Sequence, residues 1–273
     1  SDNLLVNSGS GLATHSNVNF DGISNSVFHD VLIAKFNDID SVIELFDLYG
    51  DDIACVIVEP IVANFNLILP LENFLAKLRF ICDKYSSLLI FDEVVTGFRV
   101  NISGAQEKYK VYPDLTCFGK IAGGGFSIGI LGGKKCVMEC LSPLGFVYHG
   151  GTMAGNPVTM RAGYETIKYC LKNIYLYDML EKNTLLLCNG IKESAKKYNI
   201  NIYVNNICGM FGYKFINDND DMVFNSFFKN LLFSGIYVAP SKFEVGFLSF
   251  SHTENIIEKT INKIDEIFST LNK

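Results

Sequence analysis

The sequence predicts an α/β protein: a large domain built on a mostly parallel sheet, followed by a smaller C-terminal α+β domain. Three observations carry this. Short apolar runs alternate with helix-periodic stretches from residue 31 to residue 172. One run, residues 88–94, is apolar almost without interruption, the pattern of a strand buried on both faces of a parallel sheet. Beyond residue 172 longer helices are separated by short strands, so the domains are placed at 1–172 and 173–273.

Residues 1–30 are rich in Ser, Asn, Gly and Asp with little periodicity and read as a long irregular loop. A strand over 31–36, a helix over 40–49 and a strand over 55–59, ended by Pro60, come next. A helix over 71–85 follows from the spacing of Phe74, Leu78, Ile81 and Cys82, and the strand over 88–94 closes a strand–helix–strand unit. Short strands over 116–118 and 128–131 flank the glycines Gly123, Gly124 and Gly125, and a helix over 155–170 starts near Asn156-Pro157. The smaller domain reads as a helix (178–198), strands (201–204, 210–216), a helix (223–233), strands (236–239, 245–250) and a last helix. In that last helix Ile257, Ile261, Ile264, Phe268 and Leu271 share one face.

Composition narrows the function classes. The chain has 273 residues, 49% of them hydrophobic, with a formal charge of −6, which describes a globular protein with a sizeable core. Only three arginines are present, Arg79, Arg99 and Arg161, with no basic run, which argues against a nucleic-acid partner. Mean hydropathy is +0.23, yet every apolar run stops well short of the roughly 18 residues a membrane span needs. The opening Ser1-Asp2-Asn3 shows no secretory signal, and the lack of an initiator Met suggests a fragment or processed chain. Eight scattered cysteines without a C-x-x-C pair point to reduced thiols in a cytosol-like compartment, the cytoplasm or, in a eukaryote, the plastid stroma. His15, His29 and His252 lack metal-ligand spacing, and the glycine runs match no nucleotide motif, so no metal is expected. Lys134 and Lys135 read as solvated surface charges.

Chemistry concentrates in two places. Asp92 and Glu93 end the apolar strand, where open α/β sheets place their ligands. Lys120 follows a second buried strand and precedes the three glycines, which let backbone approach a ligand closely. Pyridoxal phosphate chemistry needs such a pair: an amine that forms a Schiff base and a carboxylate that keeps the pyridine nitrogen protonated.

Four blocks then carry a family resemblance: Glu59-Pro60; Asp92-Glu93-Val94-Val95-Thr96-Gly97-Phe98-Arg99; Pro113-Asp114-Leu115-Thr116-Cys117-Phe118-Gly119-Lys120; and Gly151-Thr152-Met153-Ala154-Gly155-Asn156-Pro157. In this order they resemble the class III pyridoxal-phosphate aminotransferases, whose fold is aspartate-aminotransferase-like (fold type I). Phe98-Arg99 followed by Gly104-Ala105-Gln106, and the stretch Val238-Ala239-Pro240-Ser241-Lys242-Phe243-Glu244-Val245, are similar to the glutamate-1-semialdehyde 2,1-aminomutase branch. His149, Ala63, Ser127 and Ala154 depart from the family's usual Gln, Gly, Pro and Ser.

The resemblance implies that Lys120 is the Schiff-base lysine, that Asp92 pairs with the pyridine nitrogen, and that Val94 packs on the ring. It places Asn64 near the cofactor's 3-hydroxyl and Glu244 near a bound diamine. Thr152, with Tyr148 close by, would reach the phosphate of a neighbouring subunit's cofactor, which implies a homodimer with shared sites. The cofactor alternates between pyridoxal 5'-phosphate and pyridoxamine 5'-phosphate. The implied reaction converts glutamate 1-semialdehyde to 5-aminolevulinate for tetrapyrrole synthesis, with residues 1–30 as a gating loop. The family's phosphate cup and stacking aromatic fall in an N-terminal third not represented in the chain. Two alternatives stand beside this reading: another class III aminotransferase releasing a keto product, and a truncated non-catalytic relative.

Overall fold

The computed structural model describes residues 30–216 and 220–271, so the expected gating loop lies outside the described residues apart from Asp30. The chain forms two compact units. One comprises Leu32–Ile61 and Leu69–Ile174; the other comprises Val62–Ile68 and the chain from Tyr175 onward.

The first unit carries helices α1 (Ile39–Tyr49), α2 (Phe74–Tyr85), α3 (Gly104–Tyr109), α4 (Lys135–Met138) and α5 (Pro157–Lys172). Its strands are β1 (Cys55–Val58), β2 (Leu88–Asp92), β3 (Leu115–Phe118) and β4 (Ile130–Gly133). They lie in the order β1-β2-β3-β4. The first three are parallel, Val58 facing Phe91 and Asp92 facing Cys117, and β4 returns antiparallel with Phe118 facing Ile130. Helix α1 starts where the Asp38 carboxylate accepts the Ser41 amide at 3.1 Å, and α5 starts where Asn156 accepts the amides of Val158 and Thr159 just around Pro157. The stripe Phe74, Leu75, Leu78, Ile81 and Cys82 of α2 packs with Val42 and Phe46 of α1 onto Leu89 and Phe91 of β2. Burying each such side chain contributes about 1.5–3 kcal/mol.

Several expectations change here. Strand β2 ends at Asp92 and alternates: Leu89 and Phe91 are fully buried, whereas Leu88 and Ile90 are only half-buried. Its neighbour Ile57 on β1 is 45% exposed, because α1 and α2 cover the opposite face. Residues 31–36 form no strand, having no ladder partner among the described residues, and Leu32 and Ile33 are exposed. The expected strand over 128–131 shifts to β4. Lys134 is not a free surface charge. Its ammonium lies 2.6 Å from Asp114, which also accepts the Leu89 amide and the Arg79 guanidinium, both at 2.7 Å. This one carboxylate therefore ties α2, β2 and the end of β4 to the turn that opens β3.

The second unit contains α6 (Tyr175–Lys197), β5 (Ile202–Ile207), β6 (Met210–Phe215), α7 (Asp220–Phe233), β7 (Gly246–Phe247) and α8 (Glu254–Leu271). The antiparallel sheet runs β5-β6-β7, with a hairpin that pairs Ile207 with Met210. Phe227 meets Phe215 and Phe268 at ring-centroid distances of 5.3 and 5.2 Å, which joins sheet, α7 and α8 in one aromatic core. The expected strand over 236–239 is irregular, and that over 245–250 contracts to β7. Past Leu248 the chain leaves the ladder, since the Ser249 amide donates to His252 Nδ1 at 2.9 Å. No helix among the described residues is long and apolar enough to cross a membrane, and all eight cysteines are free thiols.

Candidate functional site

Asp92 and Glu93, adjacent in sequence, diverge completely in surroundings. Asp92, the last residue of β2, is half-buried, and the one donor to its carboxylate among the described residues is the Val94 amide at 3.0 Å. Glu93 is 0% exposed. It accepts from the Thr96 hydroxyl at 2.9 Å, the Ala105 amide at 2.5 Å, and the Gln106 amide and side chain at 3.2 and 3.0 Å. A buried carboxylate satisfied by two amides in the first turn of α3 fixes the loop that leaves Asp92. Gly104, at φ +73°, completes the arrangement, because a Cβ there would collide with the Glu93 carboxylate.

Lys120 stands on the neighbouring strand end. Strands β2 and β3 pair Asp92 with Cys117, and the Glu93 amide donates to the Cys117 carbonyl at 2.9 Å, so the two chain exits lie side by side, about 4.8 Å apart as neighbouring strands do. Burial, and next the nearby Asp92 charge, push the Cys117 thiol pKa up. Val94 bridges the exits: its methyls come within 3.3 Å of where a Gly119 side chain would begin. Phe98 and Phe118 meet beside them with ring centroids 5.5 Å apart and planes tilted by 41°. Lys120 itself opens a 3-10 turn (Lys120–Gly123), is exposed, and sits at φ +46°. A left-handed lysine costs about 1 kcal/mol, a strain that clusters at functional positions.

Among the glycines after Lys120, Gly124 has a neighbour the sequence does not announce. The Ala162 carbonyl and Thr166 hydroxyl of α5 crowd the space beside Gly124, and Gly163 of α5 has the Ala122 carbonyl where a side chain would start. Two small-residue faces thus let α5 seat directly on the Lys120 turn. Gly125 faces open space.

The remaining candidates lie elsewhere. Thr152 and Tyr148 occupy the segment between α4 and α5; both are exposed, Tyr148 at 86%, beside exposed Leu144, Phe146 and Met153. Asn64 and Glu244 belong to the second unit. Asn64 lies in a turn closed by the paired amides and carbonyls of Val62 and Ile68, both bonds 3.0 Å, and Glu244 is exposed in a turn preceding β7. Sequence reading groups Glu93 with Asp92, uses Gln106 only within a block of the resemblance, and passes over Asn66. The one local cue was an isolated glycine three residues after Asn101, opening a short helix. No group of three or more potential metal ligands occurs among the described residues.

Comparison with known proteins agrees with this geometry. The family model described as "Aminotransferase class-III" matches residues 13–268. A glutamate-1-semialdehyde 2,1-aminomutase of Francisella tularensis subsp. tularensis is 46% identical over 272 aligned residues, which cover 95% of this chain and 63% of that protein. The chain thus spans somewhat less than two thirds of the length of the curated relatives it matches. An omega-transaminase from Sphaerobacter thermophilus superposes with a TM-score of 0.87 at 27% identity, covering 94% of this chain and 61% of that one. A Sphingopyxis protein solved in its PLP internal aldimine form superposes with a TM-score of 0.85 at 25% identity, covering 96% and 62%. The expected fold type I architecture is therefore the observed one, and the chain belongs to the class III aminotransferase family.

Proposed function

We propose that this chain forms the greater part of a glutamate-1-semialdehyde 2,1-aminomutase that binds pyridoxal 5'-phosphate and its pyridoxamine form and converts glutamate 1-semialdehyde to 5-aminolevulinate. The observation that carries the reading is the pairing of a lysine and a carboxylate at adjacent parallel-strand exits, Lys120 beyond β3 and Asp92 at the end of β2, in a chain 46% identical to an aminomutase. The donors present suit the cofactor. The Asp92 carboxylate has a single local amide partner and an oxygen to spare, the Val94 side chain offers an apolar surface beside Gly119, and the Lys120 amine is exposed.

When bound, pyridoxal phosphate supplies an electron sink that lets a carbon–hydrogen bond beside an amine ionise. Asp92 holds a proton on the ring nitrogen, which that sink requires. Lys120 Nζ would anchor the cofactor and would take up and return the proton of the substrate carbon. Val94 would pack on the ring, Asn64 would serve its 3-hydroxyl, and Glu244 would stand by the amines of the substrate. Thr152, assisted by Tyr148, would contact the phosphate held by a second copy, so the assembly, in the cytoplasm or, in a eukaryote, the plastid stroma, is a homodimer. The exposed apolar side chains around Thr152 support that last point, since Leu144, Phe146 and Met153 are 79, 106 and 70% exposed in the single chain. The domain limits 1–172 and 173–273 belong to this proposal.

The test is a product balance on the intact protein given glutamate 1-semialdehyde and cofactor. An aminomutase yields 5-aminolevulinate with no external amino donor consumed. Stoichiometric donor consumption with release of a keto product assigns the chain to an ordinary transaminase instead.

A further inference from the structure

We infer that Asn66 is a positioning residue for Asn64 and Glu244, a single side chain within the second unit that binds the turn carrying the one to the turn carrying the other. The inference rests on the roles proposed above for those two residues. Asn66 lies in the Val62–Ile68 turn at φ +63°, a conformation that asparagine tolerates better than other residues with a side chain. Its backbone amide donates to the Phe243 carbonyl at 2.6 Å. Its side-chain amide donates to the Tyr213 carbonyl at 2.5 Å and to the Lys242 carbonyl at 3.2 Å, while Oδ1 accepts the Leu67 amide at 2.8 Å.

The partners belong to three segments far apart in sequence: the 62–68 turn, strand β6, and the turn over 241–244. Gly212 on β6 permits the approach, because a side chain there would overlap Asn66 Oδ1 and the Leu67 backbone. Phe65 and Phe243, one residue before Asn66 and one before Glu244, meet with ring centroids 4.9 Å apart and planes tilted by 42°, and close the apolar side of the clamp. Side-chain chemistry makes asparagine hard to replace. Aspartate keeps the acceptor for Leu67 but turns a second oxygen toward two carbonyls. Glycine keeps the backbone but donates nothing. No other side chain of this size offers one acceptor and two donors from a left-handed residue.

The test uses the intact protein loaded with pyridoxal phosphate, comparing Asn66→Gly and Asn66→Asp with Glu244→Gln. Hydrogen exchange at the Phe243 and Glu244 amides, which donate to Ser241 within the turn that Asn66 holds by its carbonyls, reads the order the clamp imposes, and steady-state kinetics read its consequence. Both Asn66 variants are expected to exchange those amides faster by about tenfold or more. They should lower kcat by about tenfold with a smaller change in KM, and the loss should not add to that of Glu244→Gln. If Asn66→Gly fails to fold, the near-isosteric Asn66→Asp still decides. Unchanged exchange overturns the inference, and so does faster exchange at wild-type kcat when Glu244→Gln is impaired. A fully active Glu244→Gln beside faster exchange in the Asn66 variants overturns instead the role proposed for Glu244.

Discussion

Asp92 and Lys120 leave neighbouring strands of a hydrogen-bonded sheet, whereas Asn64 and Glu244 sit in turns of the other unit that belong to no strand. The strand exits are braced several times over. Glu93 locks the loop after β2 to α3, Asp114 gathers β2, β4 and α2, and α5 rests on the Lys120 turn through Gly163. The turns are held by contacts that include Asn66 and the pairing of Lys242 with Asp220 and Asp221 at 3.0 and 2.7 Å. The groups proposed for the ring nitrogen and the Schiff base thus leave paired strand ends, while those proposed for the 3-hydroxyl and the substrate amines are carried by turns.

The comparison breaks most severely at Glu93. Glu93→Ala leaves the first amides of α3 without their buried acceptor and should destabilise the protein by about 3–5 kcal/mol, measured by denaturant unfolding. Asp92→Asn separates chemistry from fold. It should lower turnover by about a hundredfold, about 2.7 kcal/mol of barrier, and leave unfolding within about 0.5 kcal/mol of wild type.

Asp114 comes next. Burial alone would raise its carboxyl pKa, but the Lys134 ammonium, the Leu89 amide and the Arg79 guanidinium outweigh that and hold it below its ordinary value near 3.8. A carboxyl depressed on folding stabilises fully above its unfolded value, and that contribution disappears as pH falls through the folded one. Asp114→Asn should therefore cost about 2 kcal/mol at neutral pH and less below about pH 4, read from unfolding curves across that range. Lys242→Ala, at a partly exposed pair on the turn side, should cost at most about 1 kcal/mol, and less in high salt.

Legibility in the sequence follows the range of the interactions involved. Asp92 and Lys120 stood out because each ends a local apolar run, and pyridoxal phosphate chemistry needs that pair. The helices were legible from their stripes, as in Phe74, Leu78 and Ile81. Glu93 was visible only as a second carboxylate, because the groups that make it structural, Ala105 and Gln106, lie on the far side of a loop. The 62–68 turn was opaque for the same reason at greater distance: the Tyr213 carbonyl that Asn66 meets is 147 residues away. Residues 31–36 have strand composition without a strand, since apolar content alone supplies no ladder partner. The glycines after Lys120 were legible as close-approach positions, and at Gly124 the neighbour on this chain is α5.

Covalent trapping tests the central claim most directly. The intact protein is mixed with pyridoxal phosphate, reduced with borohydride and digested, and the labelled peptide is sequenced. The account predicts one adduct, on Lys120, with Asp92→Asn labelling at the same lysine. An adduct on Lys134, Lys135 or another lysine, with Lys120 unlabelled, would contradict the assignment of the β2 and β3 exits as the cofactor site.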